Sequence, residues 1–260
     1  MSSVVETWAR RDRIILSVSL VTIVVLSWAY LVDMAQAMQG MDMNMSMSMS
    51  AMQAWTAIDF VLMFTMWTVM MIAMMTPSAS PMVFMFAKID RQRQTQRNPI
   101  ATSWVFLAGY LVIWAAFSAV AVLAQWGLHS AALLSPMMVS TSALLGGSLL
   151  VAAGVFQLTS LKHACLHQCR TPLGFLISEW RNGYQGAFVM GLKHGYFCTG
   201  CCWALMALLF VAGVMNLLWV AAIAGFVLVE KIAPAGHWLG KAAGILMIGW
   251  GGWMLLAVFI

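Results

Sequence analysis

Residues 186–212 read GAFVMGLKHGYFCTGCCWALMALLFVA, an apolar run of membrane-spanning length that carries one imidazole and three thiols. A helix needs about 17 to 25 such residues to cross a hydrocarbon core roughly 30 Å thick. Within the run, His194, Cys198, Cys201 and Cys202 fall at i, i+4, i+7 and i+8, which is one helical face. With ~1.5 Å of rise per residue from a membrane surface near Gly186, His194 lies ~12 Å deep and Cys198 ~18 Å deep. Polar groups at such depth mark a pathway or a site. Gly191 and Gly195, extended by Gly186 and Gly200, form a small-residue pattern that admits a neighbouring helix or its side chains.

The rest of the chain has the same character. It is 63% hydrophobic and 8% charged, with mean hydropathy +0.89, whereas a soluble domain carries roughly 25% charged residues. Seven apolar segments follow: 14–32, 57–75, 100–125, 137–160, 186–212, 216–233 and 241–260. The sixth, broken by Gly225 and closed by Glu230-Lys231, is the shortest in character. The expected fold is an all-α polytopic bundle of about seven transmembrane helices.

Lys and Arg in short loops stay cytoplasmic. A cytoplasmic N-terminus and an outward C-terminus put every Lys and Arg except Lys193 on the inner side, Lys162 and Lys231 among them. The pI near 9.1 then reflects this rule and contact with anionic membrane lipids, not nucleic-acid binding. Residues 1–32 are expected to be a cytoplasmic tail and first anchor, 33–56 an outward Met-rich loop, and 57–260 a six-helix domain. The first apolar run, about 19 residues, exceeds the roughly 7 to 15 of a signal peptide, although Ala35-Gln36-Ala37 resembles a cleavage site.

All five cysteines and three of the five histidines lie between Lys162 and Trp203. Thiolates and imidazoles at this density suit a soft or borderline ion such as copper(I) or zinc. The odd cysteine count gives no disulfide framework. His163, Cys165, His167 and Cys169 alternate with a period of two. An extended segment brings all four to one ion. A helical one offers Cys165 and Cys169 as a clip and turns His163 and His167 away. Thr171-Pro172 ends any such helix, because the residue before proline disfavours the α region.

Methionine supplies a second soft-ligand population. Met41, Met43, Met45, Met47 and Met49 alternate with Asp, Asn and Ser in the outward loop. Neutral thioethers suit copper(I) capture where thiols would be oxidised. Met63, Met66, Met70 and Met74 then form a stripe on the second segment, at spacings more often used for packing. Pro77 is expected to end that helix.

Several long patterns carry a family resemblance: Trp67-x-x-Met70 through Met75-x-Pro77; Leu161-Lys162-x-x-Cys165-Leu166-x-x-Cys169-Arg170-x-Pro172-Leu173; and Trp180-Arg181-x-Gly183. They continue with Gly191-x-x-His194-Gly195-x-x-Cys198-x-Gly200-Cys201-Cys202-Trp203, Met215-Asn216 and Glu230-Lys231. Over most of residues 60–250 the chain resembles a bacterial domain family of unassigned function, described as predicted metal-binding integral membrane proteins. The resemblance implies a multi-pass protein of the bacterial inner membrane. Its pattern does not require His163 or His167, nor does it include the Met tract.

The leading expectation is copper(I) handling: capture by the Met tract, relay past Met70 and Met74, binding by the Cys and His cluster, and delivery to a membrane or periplasmic copper protein. Zinc is the second metal. The alternative is an enzyme, a membrane thiol-disulfide oxidoreductase using Cys198-x-x-Cys201; it lacks a second exposed cysteine pair.

Overall fold

The structure is a computed structural model, and it describes residues 2–45, 55–93, 99–131 and 143–258. These form ten helices and no strand: α1 Ser2–Met45, α2 Ala57–Arg93, α3 Pro99–Ser130, α4 Ala143–Leu158, α5 Ser160–Arg170, α6 Pro172–Glu179, α7 Gly183–Ala207, α8 Leu209–Ala212, α9 Leu217–Ile232 and α10 Gly236–Leu256. The all-helical expectation therefore holds. Five helical stretches are long and apolar enough to cross a membrane, or six if the bent pair α4 and α5 makes one span. Seven were expected. Among the described residues the sixth segment is not one of these stretches, because the 16 residues of α9 reach only ~24 Å at the helical rise, and the fourth counts only with the bent pair taken as one span.

Two local expectations need correction. α1 continues through Met45, so the first part of the expected 33–56 loop is helix, while 46–54 lie outside the described residues. Pro77 does not end α2, which runs through both Pro77 and Pro81 to Arg93. A proline inside a helix removes one backbone donor and orphans a carbonyl one turn back. Here Ser80 Oγ donates to Pro77 O at 2.8 Å, replacing the donor that Pro81 lacks, and Ser78 Oγ and Tyr110 Oη donate to Met75 O at 2.9 and 3.3 Å. Such re-satisfaction is what makes proline tolerable in an apolar helix.

The glycine pattern of α7 admits both a neighbouring helix and a side chain: Gly191 and Gly195 seat α3, and Gly200 seats Cys165. A Cβ added at Gly191 would lie 2.0 Å from Phe106 O, and one at Gly195 3.0 Å from Tyr110 O. α3 and α7 are accordingly among the most closely packed pairs, with α4 on α10. Gly183 opens α7 with φ 81°, a left-handed conformation that a Cβ disfavours.

α4 and α5 meet at a 64° bend. Thr159 makes the corner: it has extended backbone, caps α5 through Lys162 N at 3.3 Å, and donates back to Phe156 O at 2.7 Å. The bend lays α5 against α7. Thr171 then closes α5 and Pro172 opens α6, the boundary read from the sequence. At the end of the bundle near α5, Arg170 donates to the carbonyls of Ala233 and Pro234, Asp12 pairs with Arg91, and Arg93 lies over the Trp180 ring.

Candidate metal centre

α5 is helical throughout its length, so of the two arrangements open to the alternating His/Cys segment the protein adopts the one that separates them. His167 is exposed and His163 half-buried, the latter beside Lys162, Lys241 and His237. Neither joins the cysteines of α7. Cys165 is buried and packs onto Gly200, where a Cβ would stand 3.0 Å from its sulfur. Cys169, one turn further on, interacts with both Cys198 and Cys201.

The α7 face is as the spacing required. His194, Cys198, Cys201 and Cys202 are all buried, at 3, 0, 1 and 1% exposure. The His194 ring stacks on Tyr110 at 5.5 Å between centroids and on Phe106 at 6.1 Å, and tilts against Phe175 at 5.7 Å. Its Nδ1 is buried without a hydrogen-bond partner. A buried polar atom without a partner costs roughly 1–3 kcal/mol, which a bound ligand would relieve.

The thiols are neighbours that do not yet converge. Cys202 interacts with Cys198 and Cys201, as Cys169 does. Yet Cys201 and Cys202 Sγ are turned back to donate to Cys198 O, at 3.0 and 2.9 Å. Consequently, among the described residues no three His, Cys, Asp or Glu side chains are arranged to hold a metal ion. The donor types fit copper(I), which soft thiolates select and which accepts few ligands. Rotation of a cysteine side chain about χ1 is the adjustment needed to aim a second sulfur.

Three residues of the site escaped the sequence reading. Lys231 Nζ lies 2.9 Å from Cys198 Sγ and 3.2 Å from Ser78 Oγ. Tyr110 Oη stands 3.1 Å from the same sulfur. Lys162, 1% exposed, is ion-paired with Glu230, 2% exposed, and also donates to Gln157. The sequence reading placed Lys162 and Lys231 in inner loops as topology signals; both are buried. Glu230-Lys231 inside an apolar segment was the available signal. Tyr110, in a plain apolar segment, gave none. Lys193, by contrast, pairs with Glu179 at a half-exposed position.

Met70 and Met74 are buried in the core with Met66, Met71 and Met75. Of the Met tract, Met41, Met43 and Met45 end α1, and Met47 and Met49 lie outside the described residues.

The bundle thus buries four cysteines, an imidazole whose Nδ1 has no hydrogen-bond partner, and a set of methionines. Residues 64–254 match the family described as PpoB2, copper chaperone. The chain belongs to that family. The matched region overlaps residues 60–250, where the sequence resembled predicted metal-binding membrane proteins, and it ties the chain to copper. No curated protein and no solved structure matches the chain.

Proposed function

We propose that this chain is a membrane-embedded copper(I) chaperone of the bacterial inner membrane, which holds the ion at the α5–α7 thiol cluster and passes it to a membrane or periplasmic copper protein. The observation that carries the reading is the meeting of Cys169 with Cys198 and Cys201 beside a buried imidazole in a chain of a copper chaperone family. Cys198 and Cys201 hold the ion as a thiolate pair, with Cys169, Cys202, Cys165 and His194 as the nearest further donors. His163 and His167 are outside this set.

The ion itself is cargo. The protein's part is to exclude water from the thiols, to hold them within reach of one another, and to present a path. Large apolar side chains left exposed along α1, α3, α9 and α10, such as Val21, Val120, Leu218 and Leu246, support a lipid-facing exterior. The buried methionines of α2 lead from the end of the helix that follows the Met tract toward Met75, whose carbonyl accepts from the same Tyr110 hydroxyl that meets Cys198.

Metal analysis of detergent-purified protein tests the reading. About one copper per chain, lost when Cys165, Cys198 and Cys201 are together changed to Ser, is the expected result. Absence of metal together with a reversible Cys198–Cys201 disulfide would instead establish the oxidoreductase. The Met tract has a separate role as collector: deletion of residues 38–52 is expected to slow copper(I) loading from a weak chelator while leaving the final copper content unchanged. Equal loading rates would reduce the tract to a linker.

A further inference from the structure

Softness alone does not make a thiol cluster specific, because thiolates bind zinc as well as copper(I). The structure supplies a second criterion. Lys231 Nζ is 2.9 Å from Cys198 Sγ and the residue is 8% exposed. Glu230, the adjacent carboxylate, is committed to Lys162.

We propose that Lys231 is the specificity-determining residue of the cluster: its fixed positive charge at the Cys198 sulfur admits a monovalent soft cation and disfavours a divalent one. The inference deepens the copper reading above and rests on it. Copper(I) held by two thiolates makes a complex with one net negative charge, and the Lys231 ammonium balances it. Zinc held by the same two thiolates makes a neutral complex, leaving the ammonium uncompensated in a low-dielectric interior. Repulsion between ion and ammonium also doubles with the ion's charge, and burial reduces the screening that would hide it. The other charged or titratable groups near Cys198 and Cys201 are His194, Tyr110, Cys165, Cys169, Cys202 and the paired Glu230.

The location strengthens the assignment. Lys231 comes from α9, whereas the thiols come from α5 and α7. Its ammonium is pinned by Ser78 Oγ at 3.2 Å on α2, so the charge is held by the scaffold independently of the cysteines. Tyr110 Oη occupies another side of the Cys198 sulfur at 3.1 Å. A sulfur engaged on two sides is poorly placed in the closed four-ligand shell that a structural zinc requires.

The experiment compares copper(I) and zinc(II) affinities of the full chain in detergent, each by competition with a chromophoric chelator. Wild type, Lys231→Arg, Lys231→Met and Lys231→Gln are measured. Loss of the charge is expected to raise zinc affinity relative to copper(I) by at least about tenfold in the Met and Gln variants, while the Arg variant keeps the wild-type ratio. A zinc-to-copper ratio unchanged in both neutral variants would overturn the inference. A second measurement needs no variant. Wild type is expected to bind silver(I) and to discriminate against cadmium(II), a soft ion of twice the charge; cadmium bound as tightly as silver would also overturn it. Failure of wild type to bind copper(I) or silver(I) at all would remove the metal site itself, an outcome distinct from a lost charge preference.

Discussion

Cys198→Ser is expected to lower copper(I) affinity by more than about a hundredfold, beyond the 10–100-fold that loss of an outer-shell partner costs. Cys198 is where the site's contacts meet. Its sulfur touches Tyr110 Oη and Lys231 Nζ, its carbonyl receives the Cys201 and Cys202 thiols, and it interacts with Cys169 on the facing helix. Serine preserves the size and the hydrogen-bonding capacity toward Tyr110, so the fold should survive while the soft donor is lost. Competition with a copper(I) chelator reads the affinity, and thermal unfolding in detergent checks the fold. Cys202→Ser and His167→Ala are the comparisons, with smaller losses expected for Cys202 and none for exposed His167. An affinity of Cys198→Ser within tenfold of wild type would move the site away from this sulfur.

Glu230→Ala is expected to destabilise the bundle by about 3–5 kcal/mol, because it leaves the Lys162 ammonium buried without its counter-charge. Glu230 and Lys162 are 2% and 1% exposed and join α9 to α5 beside the cysteine clip. At a shift of roughly 2–4 °C per kcal/mol for chains of comparable size, the unfolding midpoint should fall by about 10 °C. The double change Glu230→Leu with Lys162→Met should recover most of that loss, since a buried ion pair replaced by apolar groups of similar volume is often neutral or stabilising. Recovery of stability without recovery of copper(I) binding would show that the pair also orients α5 toward α7. A midpoint for Glu230→Ala within a degree or two of wild type would mean that Lys162 finds another partner, Gln157 being the nearest.

The resemblance over most of residues 60–250 and the family match over 64–254 cover the same ground; the motifs implied metal binding, and copper was the expectation drawn from the soft donors. The helical fold was equally legible. Runs such as 186–212 leave no other way to satisfy a backbone among apolar side chains than by hydrogen bonds within the segment. Spacing alone put His194, Cys198, Cys201 and Cys202 on one face, because helical periodicity is local. The boundary at Thr171-Pro172 followed from proline's effect on its predecessor. Pro77 did not end α2; one turn on, the carbonyl that Pro81 leaves without its helical donor accepts from Ser80 Oγ, and Tyr110 Oη donates to Met75 O, a contact that only the packed bundle brings about.

What the sequence determined by itself was thus the set of helices and the stripe of soft donors within one of them, both products of neighbours along the chain. What the tertiary structure decided was which other side chains meet that stripe. The 64° bend at Thr159 brings Cys165 and Cys169 to α7, and the approach of α9 delivers Lys231 to Cys198 across 33 positions of sequence. Charges that composition and topology rules assign to the membrane surface are instead held inside, because each finds a partner there: Glu230 for Lys162, and Ser78 with the Cys198 sulfur for Lys231. Pairing of this kind depends on distances between helices, and local pattern carries no information about those.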